Sequence, residues 1–276
     1  MMRSVHAGRQ LKTAIALVIT IPFIVPFLML IATAFRTPQD YINNPGGLPR
    51  SFTLSNLTSA WTGANLGLAV LSTLITCVVA CAVCGLVAVA GAYWFRIHQS
   101  RAAGWLRWIL VACYAIPTVA WLIPVFVAVA QVGLSNSRVI TGAVDGVSSL
   151  PFAFYLVHTY FRQALTTDLL EAATLDGATV LSTFRRVAVP IAMPVLASVT
   201  ALVFVWTFGD LLIAATLLQD PSVNTLTLAT AFLATKENLN LQEQAAAAMV
   251  ALLPTLFVFL IAQKALARGF GAASGR

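Results

Sequence analysis

Long apolar runs without a single charged residue constrain this chain more than any other feature of its sequence. The three clearest are Thr13–Phe35, Leu66–Phe95 and Trp108–Val132. A helix needs roughly 20 apolar residues to cross the hydrocarbon core of a bilayer. Only 9% of the residues are charged and 59% are hydrophobic, so the chain has too few charged residues to form the surface of a water-soluble protein. The sequence therefore predicts an all-α membrane protein.

Three further apolar runs complete a set of six candidate spans: about Ile140–Phe161, Ile191–Leu218 and Ala245–Leu266. Lys and Arg in short loops are retained on the cytoplasmic side of the membrane during insertion. If the N-terminus lies inside, all but four of the 16 basic residues fall on the inner side, and those four are Arg36, Arg50, Arg138 and Lys236. This bias predicts six transmembrane helices with both termini in the cytoplasm.

The six spans account for most of the chain, so we predict a single transmembrane domain over residues 1–276. Two loops are longer than simple connections. The outer loop, about 36–65, is rich in Asn, Pro and Gly and is long enough to fold over the outer mouth. The inner loop, about 161–190, holds several charged residues and is the first candidate for a functional region.

Cysteine spacing gives the strongest hint of enzyme chemistry, and we interpret it as packing. Cys77, Cys81 and Cys84 have the C-x3-C-x2-C spacing of some iron–sulfur sites, but they lie among lipid-depth residues where a thiolate is costly. A free cysteine commonly behaves as a small buried hydrophobe. The histidines are isolated, and the sequence has neither a Gly-Lys phosphate loop nor a G-x-S-x-G turn. We therefore predict a non-enzymatic chain without a metal site.

One carboxylate interrupts the fifth span. An acidic side chain near mid-span costs about 2.5 to 3.5 kcal/mol and persists where it has a partner or a water-filled path. Asp210 shares a helix face with Trp206 by i to i+4 spacing, and Thr207 lies beside them. These three residues are candidates for a substrate pathway. The alternative is a shorter fifth helix that places Asp210 near the outer interface, with Trp206 as part of an interfacial aromatic belt.

The inner loop has the pattern of two short helices. Asp168 is a candidate cap for the first helix, with Glu171 reaching back to it as in a capping box. Gly177 then permits a turn that a side chain would hinder. The second helix is expected to run from about Ser182 and to end before Pro190, because the residue preceding a proline avoids helical geometry. An amphipathic loop lying on the lipid headgroups is the alternative.

The same residues resemble a known motif. Glu171-Ala172-Ala173, followed at the family's spacing by Gly177, Val187 and Val189-Pro190, resembles the EAA loop of membrane subunits of bacterial ABC importers. Asp176 before the glycine is typical of the version of this loop found in carbohydrate importers. Nearly the whole chain resembles the shorter of the two permeases of maltose-type importers. The chain departs from that family at Phe208-Gly209-Asp210, where a Trp-Asn-Asp or Trp-Asn-Glu group is frequent.

The resemblance implies a type I ABC importer permease fold in a bacterial inner membrane. It also implies that the loop is a coupling helix, which docks in a cleft of an ATPase so that ATP-driven closure switches access to the pathway. The implied coupling residues are Asp168, Leu169, Glu171, Ala172, Ala173, Leu175, Asp176, Gly177, Ala178, Arg185, Arg186 and Pro190.

The implied assembly contains a second permease, two ATP-binding subunits and an extracytoplasmic substrate-binding protein. This chain would bind no cofactor itself, and ATP with Mg²⁺ would bind the ATPase subunits. The expected function is a permease subunit for import of a carbohydrate or related polar solute. An ion-coupled secondary transporter or channel is the alternative, although such a protein should carry several intramembrane ionisable residues and usually an internal repeat.

Overall fold

The computed structural model describes residues 2–233 and 240–273, and every regular element within these ranges is helical. Side chains are described for residues 16, 18–233, 240–260 and 263. The chain divides into two compact units. The first takes in the described residues of Met1–Leu66 and Thr230–Leu252, and the second takes in those of Gly67–Ala229 and Leu253–Arg276.

In the first unit, a long helix leads into a folded outer loop. Helix α1 spans Met2–Ala34, and the loop that follows contains α2 (Pro38–Asn43) and α3 (Ser55–Gly63). The side-chain amide of Asn56 donates to the carbonyl oxygens of Ala34 (2.9 Å) and Arg36 (2.7 Å). These carbonyls lie at and just beyond the helix end, where intrahelical donors run out, so the loop is tied to the end of α1.

Arg36 organises the outer loop from a buried position. Its guanidinium donates to the carboxylate of Asp40 (3.2 Å) and to the carbonyl oxygens of Asn44 (2.6 Å) and Gly47 (3.1 Å). The backbone N–H of Arg50 and the Arg36 guanidinium lower the pKa of Asp40 to about 2, so that its carboxylate stays ionised well into acid. The outer loop is thus held together by its own polar groups.

The second unit contains most of the remaining helices. They are α4 (Leu66–Ile97), α5 (Arg101–Ala112), α6 (Thr118–Gln131), α7 (Arg138–Ala164), α8 (Thr167–Leu175), α9 (Val180–Thr183), α10 (Val189–Gly209) and α11 (Leu212–Leu217). A π-helical turn over Phe184–Ala188 joins α9 to α10. Two more helices, α12 (Leu226–Leu233) and α13 (Leu241–Ala273), each contain residues of both units.

Four helical stretches of the described chain are long and apolar enough to cross a membrane: Leu66–Ile97, Arg138–Ala164, Val180–Gly209 and Leu241–Leu260. The pair α5 and α6 makes a fifth if it is counted as one bent span, and within α1 the stretch whose side chains are described, Val18–Ala34, is also apolar. The multi-pass helical architecture is therefore confirmed. The count of six spans, with both termini inside, stays a prediction.

The predicted continuous span Trp108–Val132 is wrong. The chain bends by 97° between Arg101–Ala115 and Thr118–Gln131. Ile116 has ψ 118°, an extended conformation, because the proline ring of Pro117 clashes with a helical residue before it. Two shorter helices therefore replace one long one.

The predicted span Ile191–Leu218 is also wrong in its limits. Its helix begins earlier, at Val180, and ends at Gly209. Asp210 is extended, with ψ 129°, and its carboxylate accepts the backbone N–H groups of Ile213 (2.9 Å) and Ala214 (3.1 Å). The acidic side chain thus satisfies backbone N–H groups in the first turn of α11, just beyond the end of the shorter helix.

Helices α4 and α7 meet through glycines. A Cβ atom added to Gly142 would lie 2.5 Å from the carbonyl oxygen of Thr76, and one added to Gly146 would lie 2.7 Å from that of Ala80. Glycines four residues apart allow two helix backbones to approach closely where no water is available to drive association. This contact fixes α7, the span that carries Asp145.

The cysteines of α4 pack against α10. Cys77 is buried, and its thiol donates to the carbonyl oxygen of Phe204 at 3.8 Å, while that of Cys81 donates to Thr200 at 3.4 Å. Cys84 is buried in the core formed by α4, α7 and α10. The packing role predicted for these residues is therefore confirmed.

Replacing Gly142 with alanine is expected to destabilise the protein. The new methyl group would press on the backbone of α4, and overpacking of this kind costs about 1 to 3 kcal/mol. The measurement is the thermal midpoint of the purified chain in detergent. Gly85→Ala in α4 is the control, since its Cβ would lie 3.7 Å from the nearest side chain. A Gly142→Ala midpoint equal to that of the control would contradict the close approach.

Candidate functional site

The inner loop begins with a capped surface helix, α8. Its N-cap is Thr166, whose hydroxyl accepts the backbone N–H of Leu169 at 3.5 Å. The predicted cap at Asp168, with Glu171 in a capping box, is wrong. Asp168 lies in the first turn, where its negative charge is still favourable beside the helix N-terminus. Thr166 takes the cap because the helix starts two residues earlier than expected.

The end of α8 requires a glycine. Gly177 has φ +73°, the left-handed conformation in which a residue with a Cβ atom is strained. Its N–H donates to Thr174 (3.0 Å), and the N–H of Ala178 donates to Ala173 (2.9 Å). This pair of bonds is the Schellman arrangement, which satisfies carbonyl groups at a helix end. The predicted turn at Gly177 is confirmed.

Most of α8 faces outward. None of its residues is buried, and Leu175 is 89% exposed. The exposed members of the predicted coupling set are Asp168, Leu169, Glu171, Ala172, Leu175, Asp176, Gly177, Arg185, Arg186 and Pro190, while Ala173 and Ala178 are half-buried. A leucine that is so fully exposed contributes nothing to the core of its own chain, so the free surface of α8 is available to a partner.

Two residues of α4 hold this loop in place. The guanidinium of Arg96 donates to the carbonyl oxygen of Leu165 (2.8 Å) and to the hydroxyl of Thr167 (3.1 Å). The hydroxyl of Tyr93 donates to the carbonyl oxygen of Val180 at 3.1 Å. Sequence reasoning treated Arg96 only as a topology signal and did not select Tyr93. Their partners lie about 70 to 90 positions away in the chain, and no local pattern indicates them.

The second part of the loop continues directly into the membrane span. The predicted helix end before Pro190 is wrong, because α9, the π turn and α10 form one continuous helical path. A proline cannot donate to the preceding turn, and a wider turn just before it accommodates the missing bond. Arg185 and Arg186 lie exposed on this π turn. They follow α8 and α9 in the chain, and their guanidinium groups form no hydrogen bond with the described residues.

A polar cavity lies where the fifth predicted span breaks. Its volume is about 200 Å³, and its lining includes Tyr114, Asp145, Ser148, Ser149, Trp206 and Asp210. Asp145 is 5% exposed, and the Trp206 ring packs edge-on against Phe152 with centroids 5.1 Å apart. Two carboxylates, hydroxyl groups and an aromatic ring therefore line one small space between helices.

The structure brings Trp206 and Asp210 together in this cavity and leaves Thr207 out of its lining. Thr207 is 3% exposed, and its hydroxyl has no hydrogen-bond partner among the described residues. Asp145 was not selected as a site residue from the sequence. An acidic residue inside a candidate span was the signal that could have identified it.

Comparisons with known proteins agree with a helical membrane protein of this architecture. The family model described as "Binding-protein-dependent transport system inner membrane component" matches residues 83–271. The chain is similar to the melibiose/raffinose/stachyose import permease protein MelC of Bacillus subtilis, with 27% identity over 92% of each chain. It is also similar to a putative ABC transporter permease protein, ORF1, of Streptomyces antibioticus, with 31% identity over 80% of this chain and 96% of that one.

A solved structure shows the same fold. It is a chain of a bacterial ABC transporter involved in the import of the acidic polysaccharide alginate. The TM-score is 0.80 at 19% sequence identity, and the match covers 95% of this chain and 97% of that chain.

Gly177→Val is expected to open the end of α8. A β-branched residue in the left-handed conformation is strained by roughly 1 to 2 kcal/mol. This strain favours local opening, so the backbone amides of residues 177 and 178 should exchange about tenfold faster than in the wild type. The measurement is hydrogen–deuterium exchange with mass spectrometry. Gly177→Asn is the control, because asparagine tolerates this conformation better. Equal protection in both variants would contradict the role of the left-handed turn.

Proposed function

The chain belongs to the family of binding-protein-dependent transport system inner membrane components, and on this premise we propose that it is one permease subunit of an ATP-driven importer for a carbohydrate or a related polar solute. The observation that carries the proposal is α8, a capped and exposed helix in the inner loop that is fixed to a membrane-spanning helix. An ion-coupled transporter without ATPase partners has no use for such a helix, and the family does not support that alternative.

The surface of α8 has the chemistry of a docking site. Asp168, Glu171 and Asp176 give it negative charge, and no Lys or Arg occurs between Arg162 and Arg185. Exposed Leu175 adds an apolar contact at its end. A partner with basic groups around an apolar cleft would complement this surface. The partner we propose is an ATP-binding subunit of the importer, with ATP and Mg²⁺ bound there and hydrolysed there.

The contacts of α8 provide a route from the docking site to the membrane. Arg96 and Tyr93 join the loop to α4, and the helical path from Val180 continues into α10. Displacement of α8 by a closing ATPase would therefore be passed to both helices as rigid bodies. α10 carries Trp206 to the polar cavity and ends beside Asp210. Rocking of helices around a fixed polar site is how transporters generally alternate access.

The cavity supports a polar, hydroxyl-bearing solute. Its carboxylates accept hydrogen bonds from hydroxyl groups, and the face of Trp206 can pack on a sugar ring. At about 200 Å³ it is smaller than the roughly 300 to 1,000 Å³ usual for a complete ligand site. The second permease of the assembly would supply the other half. An external substrate-binding protein would deliver the solute, and the importer would lie in a bacterial inner membrane.

Leu175→Asn is expected to weaken binding of the ATPase about tenfold or more. The change removes an apolar contact and leaves an amide to be desolvated at the interface, a loss of at least about 1.4 kcal/mol. The measurement is recovery of the ATPase by mass spectrometry after purification of the tagged chain in mild detergent. Leu48→Asn is the matched control, since Leu48, 85% exposed, is nearly as exposed as Leu175 but lies in the outer loop.

Two outcomes of this experiment would count against the proposal in different ways. Undiminished ATPase in Leu175→Asn would move the docking site away from α8. Recovery of the wild-type chain alone, at good yield and monodisperse, would remove the importer function itself.

Trp206→Ala is expected to raise the apparent KM for solute uptake about tenfold, because an aromatic contact of about 1 kcal/mol or more is lost from the cavity. Basal ATP hydrolysis by the assembly should remain. Uptake into reconstituted vesicles is the measurement, and Trp206→Phe should restore most of it. Uptake by Trp206→Ala that matches wild type would show that the cavity does not contact the solute.

A further inference from the structure

A second cavity, larger and opposite in charge, lies at the other end of α7. Its volume is about 470 Å³, and it is enclosed by the end of α4, the start of α5, the end of α7 and the start of α8. The charged and polar groups that line it include Arg96, His98, Ser100, Arg107, His158 and Arg162. Neither the exposed acidic and apolar surface proposed for docking on α8 nor the substrate pathway explains this cavity, although Arg96 and Thr167 also join it to α8. Its three arginines are the feature to be explained.

Among the residues whose side chains are described, no Asp or Glu forms an ion pair with these arginines. The residues that line the cavity include no Asp or Glu. The ion pair recorded among the described side chains is that of Arg36 with Asp40 in the outer loop, so it does not involve the cavity arginines. Arg96 donates to two neutral oxygens, those of Leu165 and Thr167. Like charges that share one cavity repel each other unless an anion lies between them.

The histidine beside Arg107 does not provide that anion. Nη1 of Arg107 lies 3.3 Å from Nε2 of His158, and because a guanidinium can only donate, Nε2 is the acceptor. His158 is therefore a neutral partner at this contact. The start of α5 adds further positive character, since its first turn holds no acidic residue and a helix N-terminus carries partial positive charge.

We propose that this cavity, defined by Arg96, Arg107 and Arg162, binds a phosphate group. Guanidinium groups match the oxygens of phosphate with paired hydrogen bonds, and the cavity is large enough for a phosphate with a small polar group attached. The predicted orientation places it on the cytoplasmic side, and exposed Trp105 and Trp108 on α5 are typical of the level of the lipid headgroups. Both an anionic phospholipid and a soluble phosphate can reach a cavity at this level.

Occupation of the cavity has a structural consequence. Arg96 belongs to the cavity and also holds Leu165 and Thr167 at the start of α8. A phosphate on the free side of this guanidinium would fix its position and thereby stiffen the attachment of the inner loop. The inference does not depend on which solute the chain transports.

The test uses the tagged chain with the subunits that accompany it, reconstituted into nanodiscs of phosphatidylcholine with or without phosphatidylglycerol. Native mass spectrometry measures retained phosphatidylglycerol, and the thermal midpoint in phosphatidylcholine alone is measured with and without inorganic phosphate. The variants are Arg107→Gln and Arg162→Gln. Arg101→Gln is the matched control, because Arg101 is exposed in the same inner segment but does not line the cavity.

We expect each cavity variant to reduce binding about tenfold relative to the control, as loss of a charge-assisted hydrogen bond predicts. Loss of retained phosphatidylglycerol would identify the phosphate as that of a lipid. If the cavity variants lose the rise in thermal midpoint that inorganic phosphate produces, while retained phosphatidylglycerol is unchanged, the ligand is a soluble phosphate. If the cavity variants match Arg101→Gln with both probes, the proposal is wrong and the arginines only set topology.

Discussion

The absence of water from the hydrocarbon core governs this structure, because every backbone N–H and C=O group there must find a partner within the protein. Long helices satisfy this requirement by themselves, and each departure from a straight helix has a local solution. Asp210 accepts the N–H groups of α11 where α10 ends, and a π turn precedes Pro190. At the outer end of α1, Asn56 donates to two carbonyl groups. At these interruptions, polar side chains or a wider turn take the place of the missing intrahelical bonds.

Local contacts at both ends explain how a nine-residue surface helix keeps its shape. A helix this short is unstable alone, because the cost of its first turn is not recovered. Thr166 caps its start, Gly177 closes its end, and Arg96 ties it to α4. With the ends fixed from within the chain, the exposed face of α8 is left for contact with another subunit. Rigidity and exposure together are what a mechanical coupling element needs.

Basic residues serve two purposes in this chain. Their excess on the inner side predicts orientation, yet individual arginines also have specific contacts: Arg36 organises the outer loop, and Arg96 anchors the start of α8. The acidic residue of α7 and the one just beyond the end of α10 meet in one cavity, and the arginines of α4, α5 and α7 meet in another. A chain with few charges therefore gathers several of them in two cavities and uses others to hold its loops.

The sequence by itself determined the membrane class, the position of the inner loop with its short helices and the need for a glycine at position 177, because these follow from hydrophobicity, spacing and local backbone geometry. The bend at Pro117 and the cap at Thr166 were within reach of local rules, but competing signals nearby obscured them. Only the tertiary structure decided that Asp145 joins Asp210 in one cavity, that Gly142 and Gly146 admit the backbone of α4, and that Arg96 holds α8. These contacts join residues far apart in the chain, and the pairing of helices that brings them together depends on side-chain shape, which periodicity does not encode.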